Sequence, residues 1–369
     1  MTFEPGGLPP LEVAPRVDRL RGGLEEAGCD ALLVTSMVSI RYLTGFTGSA
    51  ALLLVGGDEP LFVTDGRYGE QSAAELAAGG VEARIEVAGT DQKEIVAAAV
   101  AGVDRLGLEA TDVTWARQQR FAEHGFPDAT LVPTEGLVEA LREVKDEGEV
   151  ARIEAAARIA DAALAEVRPR LLDGPSEREV GLELDSAMRR LGAADPSFET
   201  IVASGPNGAK PHARPGPRTI EAGDLVVIDF GALVDGYRSD MTRTLAVGEP
   251  SIEQQRMLDV VGAAQAAGVE AVGPDVAAAE VDRVCRDVIG EAGWGEAFLH
   301  STGHGVGLEI HEAPRVASTS EAVLVPGNVV TVEPGVYLPG RGGVRIEDTL
   351  VVTPTGRRPL TNAPKAAAA

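Results

Sequence analysis

The chain has 369 residues, of which 44% are hydrophobic and 24% charged, an ordinary globular composition that excludes a disordered chain. At roughly 150 residues per domain, the length predicts two domains. Acidic residues outnumber basic ones 57 to 33, for a net charge of −24, and so acidic a surface repels phosphate backbones, so no nucleic acid partner is expected.

The first seven residues, Met1-Thr-Phe-Glu-Pro-Gly-Gly7, show neither a basic nor an apolar leader segment. Cys29 and Cys285 form no metal-type spacing and no disulfide framework, which fits a reducing cytoplasm. The longest apolar runs, such as residues 50–55, are strand-sized, far short of the roughly 20 residues of a membrane span. A cytoplasmic protein without membrane association is therefore expected. The tail, residues 365–369, reads as a frayed end.

In chain order, residues 16–27 have the spacing of an amphipathic helix, with Val17, Leu20 and Leu24 on one face. Residues 31–35 read as a short apolar strand. Residues 50–55 and 60–64 read as a hairpin around Gly56-Gly57-Asp58. Helices are predicted near 69–78 and 92–101, and a strand at 106–109. Together these form an α/β domain over residues 1–140. The mixed, charged stretch 137–146 reads as the inter-domain connection, and 147–167 as a long helix.

Residues 141–369 form the second domain, which carries an internal duplication. Gly174-Pro175-Ser176 and Gly273-Pro274-Asp275 lie 99 residues apart. Each Gly-Pro pair ends one helix and opens another, with Ser176 and Asp275 as N-caps. β-rich, turn-rich sequence follows each helix pair, so an α+β domain with a pseudo-twofold internal repeat is predicted.

The sharpest local pattern is Leu225-Val-Val-Ile-Asp-Phe-Gly-Ala232, then Asp235-Gly236, then Tyr237-Arg-Ser-Asp-Met-Thr-Arg-Thr-Leu245. Asp-Gly between two β-rich runs predicts a type I′ hairpin. With the turn there, Asp229 faces Thr242 and Asp240 faces Gly231, which puts both aspartates on one face of the ribbon. A carboxylate within so apolar a strand needs a partner, and either a cation or an arginine would serve. A second ribbon repeats the theme. Residues 328–334 form a strand bearing Glu333, and residues 344–352, carrying Glu347, return after a Gly-rich turn at 340–343. Arg345 shares a strand face with Glu347, either to orient a ligating carboxylate from behind or to form a plain salt bridge with it.

Four of the five histidines, His212, His300, His304 and His311, fall in the second domain within 100 residues. His304 lies among glycines, where an ion can approach closely, although a loop histidine satisfied by hydrogen bonds has the same local sequence. His124, in the first domain, reads as the latter. The inventory is Asp229, Asp240, Glu333, Glu347 and His304. Carboxylates with an imidazole suit Mn²⁺, Co²⁺, Fe²⁺ or Zn²⁺. Five ligands, at least two of them able to bridge, fit a pair of ions roughly 3.5–4 Å apart. Amide hydrolysis is the expected chemistry, with no Gly-x-Ser-x-Gly nucleophile elbow in the sequence.

The second domain resembles the pita-bread metallopeptidases, and the whole chain resembles the branch containing Xaa-Pro dipeptidase (prolidase) and Xaa-Pro aminopeptidase (aminopeptidase P). Ile40-Arg-Tyr-Leu-Thr-Gly-Phe46 and Thr64-Asp-Gly-Arg-Tyr68 are similar to its creatinase-type N-terminal domain. In the second domain the resemblance rests on Ile228-Asp-Phe-Gly231, Ser239-Asp-Met-Thr-Arg243, His300-Ser-Thr-Gly-His-Gly-Val-Gly307, Ile310-His-Glu312, Val332-Glu-Pro-Gly335 and Arg345-Ile-Glu-Asp348. The resemblance implies a creatinase-type α/β domain followed by a pita-bread catalytic domain.

It also implies two divalent ions, Mn²⁺ before Co²⁺, Zn²⁺ or Fe²⁺, on Asp229, Asp240, His304, Glu333 and Glu347, with Asp240 and Glu347 bridging. His212 matches the histidine that steadies the tetrahedral intermediate, and His311 the one that contacts the substrate on the proline side. Glu333 doubles as the proton carrier. Arg315 resembles an arginine that reads a free substrate carboxylate. His300 and Arg345 support the ligands from behind. The implied substrates are small peptides with proline at the second position, and the implied assembly is a homodimer.

Proline explains the need for a dedicated enzyme, because its ring removes the amide N–H and fixes the backbone. Methionine aminopeptidase shares the five ligands, but its usual form lacks such a first domain. A creatinase-like hydrolase would need no metal, and a catalytically silent pita-bread module would bind peptide without cleaving it; the intact ligand set argues against both.

Overall fold

The computed structural model describes residues 7–57, 59–89 and 92–365. Asp58 of the predicted hairpin turn, residues 1–6 of the N-terminal reading and residues 366–369 of the predicted tail lie outside the described residues. The chain divides into two compact units, one spanning Pro10–Arg142 and the other beginning at Glu143 and taking in Pro9.

The first unit is built on six strands, β1 (Ala31–Val34), β2 (Ala51–Gly56), β3 (Leu61–Asp65), β4 (Arg84–Ala88), β5 (Arg105–Glu109) and β6 (Thr130–Thr134). Their spatial order is β4-β3-β2-β1-β5-β6. The β2–β3 hairpin pairs Ala51 with Thr64 through Leu54 with Leu61. Helices α1 (Arg16–Gly22), α2 (Met37–Thr44), α3 (Gly69–Ala78), α4 (Gln92–Val100), α5 (Trp115–Arg120) and α6 (Leu137–Glu143) complete the unit. Leu33, Leu52, Val63 and Leu106 lie in its core.

Two expectations change here. The first helix stops at Gly22 rather than running to residue 27, because consecutive glycines at 22 and 23 weaken a helix; Leu24 still packs inside, from the turn that follows. Most of the stretch read as a connection is helix α6. Leu137-Val-Glu-Ala-Leu-Arg-Glu143 is made largely of good helix formers, and Val138 and Arg142 are buried.

In the second unit, α7 (Glu147–Val167) starts at an Asp146–Glu149 capping box and α8 (Glu177–Arg190) at a Ser176–Glu179 capping box. Strands β7 (Asp195–Pro196), β8 (Ile201–Ser204), β9 (Leu225–Phe230), β10 (Ala232–Val234), β11 (Tyr237–Arg238) and β12 (Met241–Ala246) follow. The second repeat opens with α9 (Ile252–Ala271) and α10 (Ala278–Glu291). Then come β13 (Gly303–Gly305), β14 (Glu312–Val316), β15 (Val329–Val332), β16 (Gly335–Leu338), β17 (Gly342–Arg345), β18 (Asp348–Thr353) and β19 (Gly356–Pro359).

The two halves have separate cores. Leu164, Leu184, Ile228 and Met241 belong to one, and Val261, Cys285, Val332 and Leu350 to the other. The repeat extends to detail, since Ser176 bridges to Thr219 and Ala277 bridges to Val323 just before α8 and α10. Asp275, expected as the second N-cap, is not one. It sits in the left-handed region at φ 63°, while extended Ala277 precedes α10 with no side-chain cap. Among the described residues no helix is long and apolar enough to cross a membrane.

Both carboxylate ribbons keep one register but lose their ladder in the middle. In the first, β9 pairs with β12, placing Asp229 opposite Thr242, and β10 pairs with β11 around Asp235-Gly236, both at positive φ as a type I′ turn requires. Pairing lapses between Gly231 and Ser239-Asp240. A Cβ at 231 would lie 1.9 Å from the Ser239 carbonyl oxygen, so only glycine fits there. In the second, β15 pairs with β18 and β16 with β17, and pairing lapses at Glu333-Pro334 and Ile346-Glu347. The expected strand 344–352 is thus two strands. The turn falls at residues 339–341, with Gly342 and Gly343 already in β17. The lapses release Asp240, Glu333 and Glu347 from regular pairing.

Candidate metal centre

Five side chains line one cavity: Asp229 from β9, His304 from β13, and Asp240, Glu333 and Glu347 from the lapses. One ligand atom each from Asp240, His304 and Glu347 lies within 4.8 Å of the others. His304 Nε2 is 3.5 Å from Asp240 Oδ2 and 3.5 Å from Glu333 Oε1. The His304 Nδ1 atom lies 3.0 Å from the Gly305 carbonyl, and donation there leaves Nε2 with a free lone pair toward the carboxylates. Burial pushes His304 down to about 4, so the ring is neutral at pH 7.

Hydroxyls hold the carboxylates in place. Thr242 Oγ1 donates to Glu347 Oε2 at 2.7 Å and Thr331 Oγ1 to Glu333 Oε1 at 3.4 Å, while Thr331 Oγ1 also accepts the His304 backbone N–H at 3.1 Å. Asp229 Oδ2 lies 2.5 Å from Arg345 Nη2. The opposite oxygens, Asp229 Oδ1 and Glu347 Oε1, are buried and have no hydrogen-bond partner.

Burial, then the charges of Glu347, Asp229 and Glu333, raise Asp240 well above the usual carboxylate range. Burial and Glu347 raise Glu333, and burial with Asp229 pushes Glu347 up to about 8. Buried acids that repel one another, keep unused oxygens and face a neutral imidazole form a set that cations satisfy. The oxygen-rich donors with one nitrogen fit divalent ions of the Mn²⁺ to Zn²⁺ group.

Arg345 is the hub behind this set. It donates to Asp229, to Thr242 Oγ1 at 3.0 Å, to the Tyr337 hydroxyl at 2.9 Å and to the Pro211 carbonyl at 3.2 Å. His300 Nε2 lies 2.8 Å from the same hydroxyl. The direct salt bridge weighed for Arg345 was with Glu347, but its partner is Asp229. The lapse at Ile346 ends the strand, so parity along it no longer pairs the two side chains. Asp229 thus has an arginine on one oxygen and an open position on the other.

The site opens into a cavity of about 490 Å³, whose lining includes His212, His300, His311, Phe198, Ile310 and Arg214. His311 packs edge-on against His304, with centroids 4.4 Å apart. His212 and His311 are exposed there. Arg315 is exposed on β14 and lies outside the lining, whereas Arg214, 3.2 Å from Glu199, is part of it. His124 is exposed in the first unit, 3.8 Å from Glu123. The sequence reading missed Thr242, Thr331, Tyr337 and Arg214 as site residues. Thr242 and Arg214 stood two residues from Asp240 and His212, which was the available signal.

Residues 151–354 match the model of metallopeptidase family M24, and residues 16–144 that of the Creatinase/Prolidase N-terminal domain. The chain belongs to metallopeptidase family M24, a hydrolase family that works with metal ions, in its form with the creatinase-type first domain. It is 43% identical over 350 residues to "Uncharacterized peptidase YqhT" of Bacillus subtilis (strain 168), covering 95% of this chain and 98% of that one. It is 36% identical over 348 residues to the Xaa-Pro dipeptidase of Pyrococcus furiosus, covering 94% and 97%. A solved structure of an Xaa-Pro dipeptidase from Bacillus anthracis superposes with a TM-score of 0.92 at 43% identity, covering 96% and 98%.

Proposed function

We propose that this chain is a metallo-exopeptidase that cleaves the bond before proline in Xaa-Pro dipeptides or at the N-terminus of short Xaa-Pro peptides. Asp229, Asp240, His304, Glu333 and Glu347 would hold two divalent ions, Mn²⁺ first among them. The observation that supports it most is the pair of buried, unpartnered oxygens, Asp229 Oδ1 and Glu347 Oε1, in a cavity shared with His212 and His311. The names of the Pyrococcus and Bacillus anthracis relatives support the proline specificity.

Ions held there supply Lewis acidity toward the scissile carbonyl and make a water acidic near neutral pH. The protein does the rest. Glu333, raised by burial and by Glu347, can take a proton from the attacking water and deliver it to the leaving proline nitrogen. His212, on the cavity wall, donates to the oxyanion. His311 contacts the substrate on the proline side. Arg345, with Tyr337 and His300 behind it, holds Asp229 in one orientation while one oxygen stays open.

The test is Xaa-Pro hydrolysis by Mn²⁺-loaded protein, its loss on chelation and its return with Mn²⁺; cleavage that survives full chelation would count against the proposal. Dipeptidase and aminopeptidase readings separate on the carboxylate reader. The resemblance assigns that task to Arg315, which lies outside the cavity lining but near enough to His304 for its charge to act on the ring, and Arg214, within the lining, is its competitor. A dipeptide against its C-terminal amide decides: a preference for the free acid that Arg315→Ala removes supports the dipeptidase reading, and equal rates support the other.

A further inference from the structure

One buried cation takes no part in the metal centre. Lys145 lies in the charged stretch just before α7, and its side chain is 1% exposed. Its Nζ donates to Glu312 Oε2 at 3.0 Å, and the Glu312 side chain is 5% exposed. Glu312 directly follows His311 in the chain.

The Glu312 carboxylate folds back over the segment that carries His311. Its Oε1 accepts the Glu309 N–H at 3.0 Å. It lies so close to Gly307 that a Cβ there would meet Oε2 at 2.5 Å. The other edge of the segment is tied by Arg238, whose backbone N–H donates to the Gly307 carbonyl at 2.9 Å and whose Nε donates to the Leu308 carbonyl at 3.2 Å. Lys145 is itself anchored. Its N–H donates to the Gly327 carbonyl at 2.9 Å, Asn328 Nδ2 donates to the Glu143 carbonyl at 3.0 Å, and Asp146 caps α7. A fixed ammonium therefore sits beneath a carboxylate that shapes the turn presenting His311 to the cavity. Glu143, whose carboxyl burial raises, is close enough to feel both charges.

We propose that Lys145 is a positioning residue for His311, acting through Glu312, an inference that rests on His311 being a substrate contact. A buried ion pair is a poor source of stability compared with an apolar pair of similar size. What it does provide is direction: Nζ fixes Oε2, the Glu309 amide fixes Oε1, and the backbone joining Glu312 to His311 then has one path. Without Lys145 the buried carboxylate loses its ammonium partner, and the favourable response is for the turn to move it toward water, carrying His311 along.

The experiment combines Lys145→Met, the apolar pair Lys145→Met with Glu312→Met, and His311→Ala, all in full-length, Mn²⁺-loaded protein with Ala-Pro as substrate. Lys145→Met should raise KM about tenfold with kcat within about threefold, the pattern of lost positioning, and leave Mn²⁺ affinity by calorimetry unchanged. The double Met variant should recover thermal stability but not KM. In the His311→Ala background, Lys145→Met should add less than about twofold to KM, because the two act as a unit. In metal-free protein, the His311 imidazole proton resonance, assigned by its loss in His311→Ala, should shift in Lys145→Met.

An unshifted resonance, additive effects of the two substitutions, or a double Met variant that recovers KM along with stability would each overturn the proposal. If His311→Ala alone leaves KM unchanged, the role of His311 falls and this inference falls with it. If wild type cleaves no Xaa-Pro peptide, it is the functional reading that fails.

Discussion

Glu347 and Asp348 are neighbours in sequence and equally inaccessible, at 2% and 4% exposure, yet their surroundings are opposite. Asp348 is fully paired: Oδ1 accepts from Arg243 Nη2 at 2.8 Å and Thr361 Oγ1 at 3.0 Å, and Oδ2 from Gln265 Nε2 at 3.0 Å and Lys365 Nζ at 2.6 Å. Glu347 accepts one hydroxyl and keeps a buried oxygen without a partner. Their arginines differ in the same way. Arg243 binds Asp348 and the carbonyls of Thr242, Glu347 and Ala363, closing a lattice around the C-terminal segment. Arg345 satisfies half of Asp229 and leaves the rest open. Burial alone therefore does not mark a site; unused valence on a buried carboxylate does.

The sharpest way to break the comparison is to remove a residue from each side. Asp240→Ala with Glu347→Ala should lower Mn²⁺-dependent Xaa-Pro cleavage by about 10³-fold or more, with the metal-free melting temperature unchanged or higher, because two acids raised by burial and mutual repulsion have been removed while the Arg345–Asp229 pair stays. Steady-state kinetics and calorimetry check both halves. Asp348→Ala should do the reverse. Stability should fall by about 3–5 kcal/mol, since Arg243 is left buried without its partner, while the protein that remains folded keeps its metal stoichiometry. Denaturant melts with metal analysis of the folded fraction would show it.

Arg345→Met should sharpen the comparison at a smaller scale. Loss of the group that orients a ligand weakens metal affinity by about 10–100-fold, measurable by calorimetric titration with Mn²⁺.

The smallest effect is in the pH dependence of metal-free protein. Glu347 is raised from 4.5 to about 8, and Asp240 and Glu333 also move up. The folded state therefore holds more protons than the unfolded one between these values, so the contribution of these acids is present at low pH and lost as pH rises toward 8. His300 and His304, lowered from 6.5 to about 4 by burial, act the other way and cost stability as pH falls below 6.5. From pH 6.5 to 8 the trend of the acids remains, and the melting temperature of chelated protein should drop. Saturating Mn²⁺ should remove the drop, because metal binding favours the deprotonated ligands. A metal-free melting temperature that rises over this interval would contradict the charge assignment.

Much of this was legible in the sequence, because alternation and turn chemistry are local. Asp235-Gly236 set the register that puts Asp229 opposite Thr242. The long helix over Glu147–Val167 and the Ser176 cap were equally readable. The lapses at Gly231 and Ile346 were not, since strand alternation assumes an unbroken ladder. The partner of Arg345 was misplaced for that reason: Asp229 is 116 positions away, and only the folded ribbons bring them together. Lys145 looked like one more charge in a connection, because the carboxylate that buries it is 167 positions downstream.

The most direct test of the centre is anomalous diffraction from crystals of the wild-type chain grown with Mn²⁺. Two peaks roughly 3.5–4 Å apart, within bonding reach of Asp229, Asp240, His304, Glu333 and Glu347, are the predicted result. A single peak, or ions bound away from these five side chains, would contradict it.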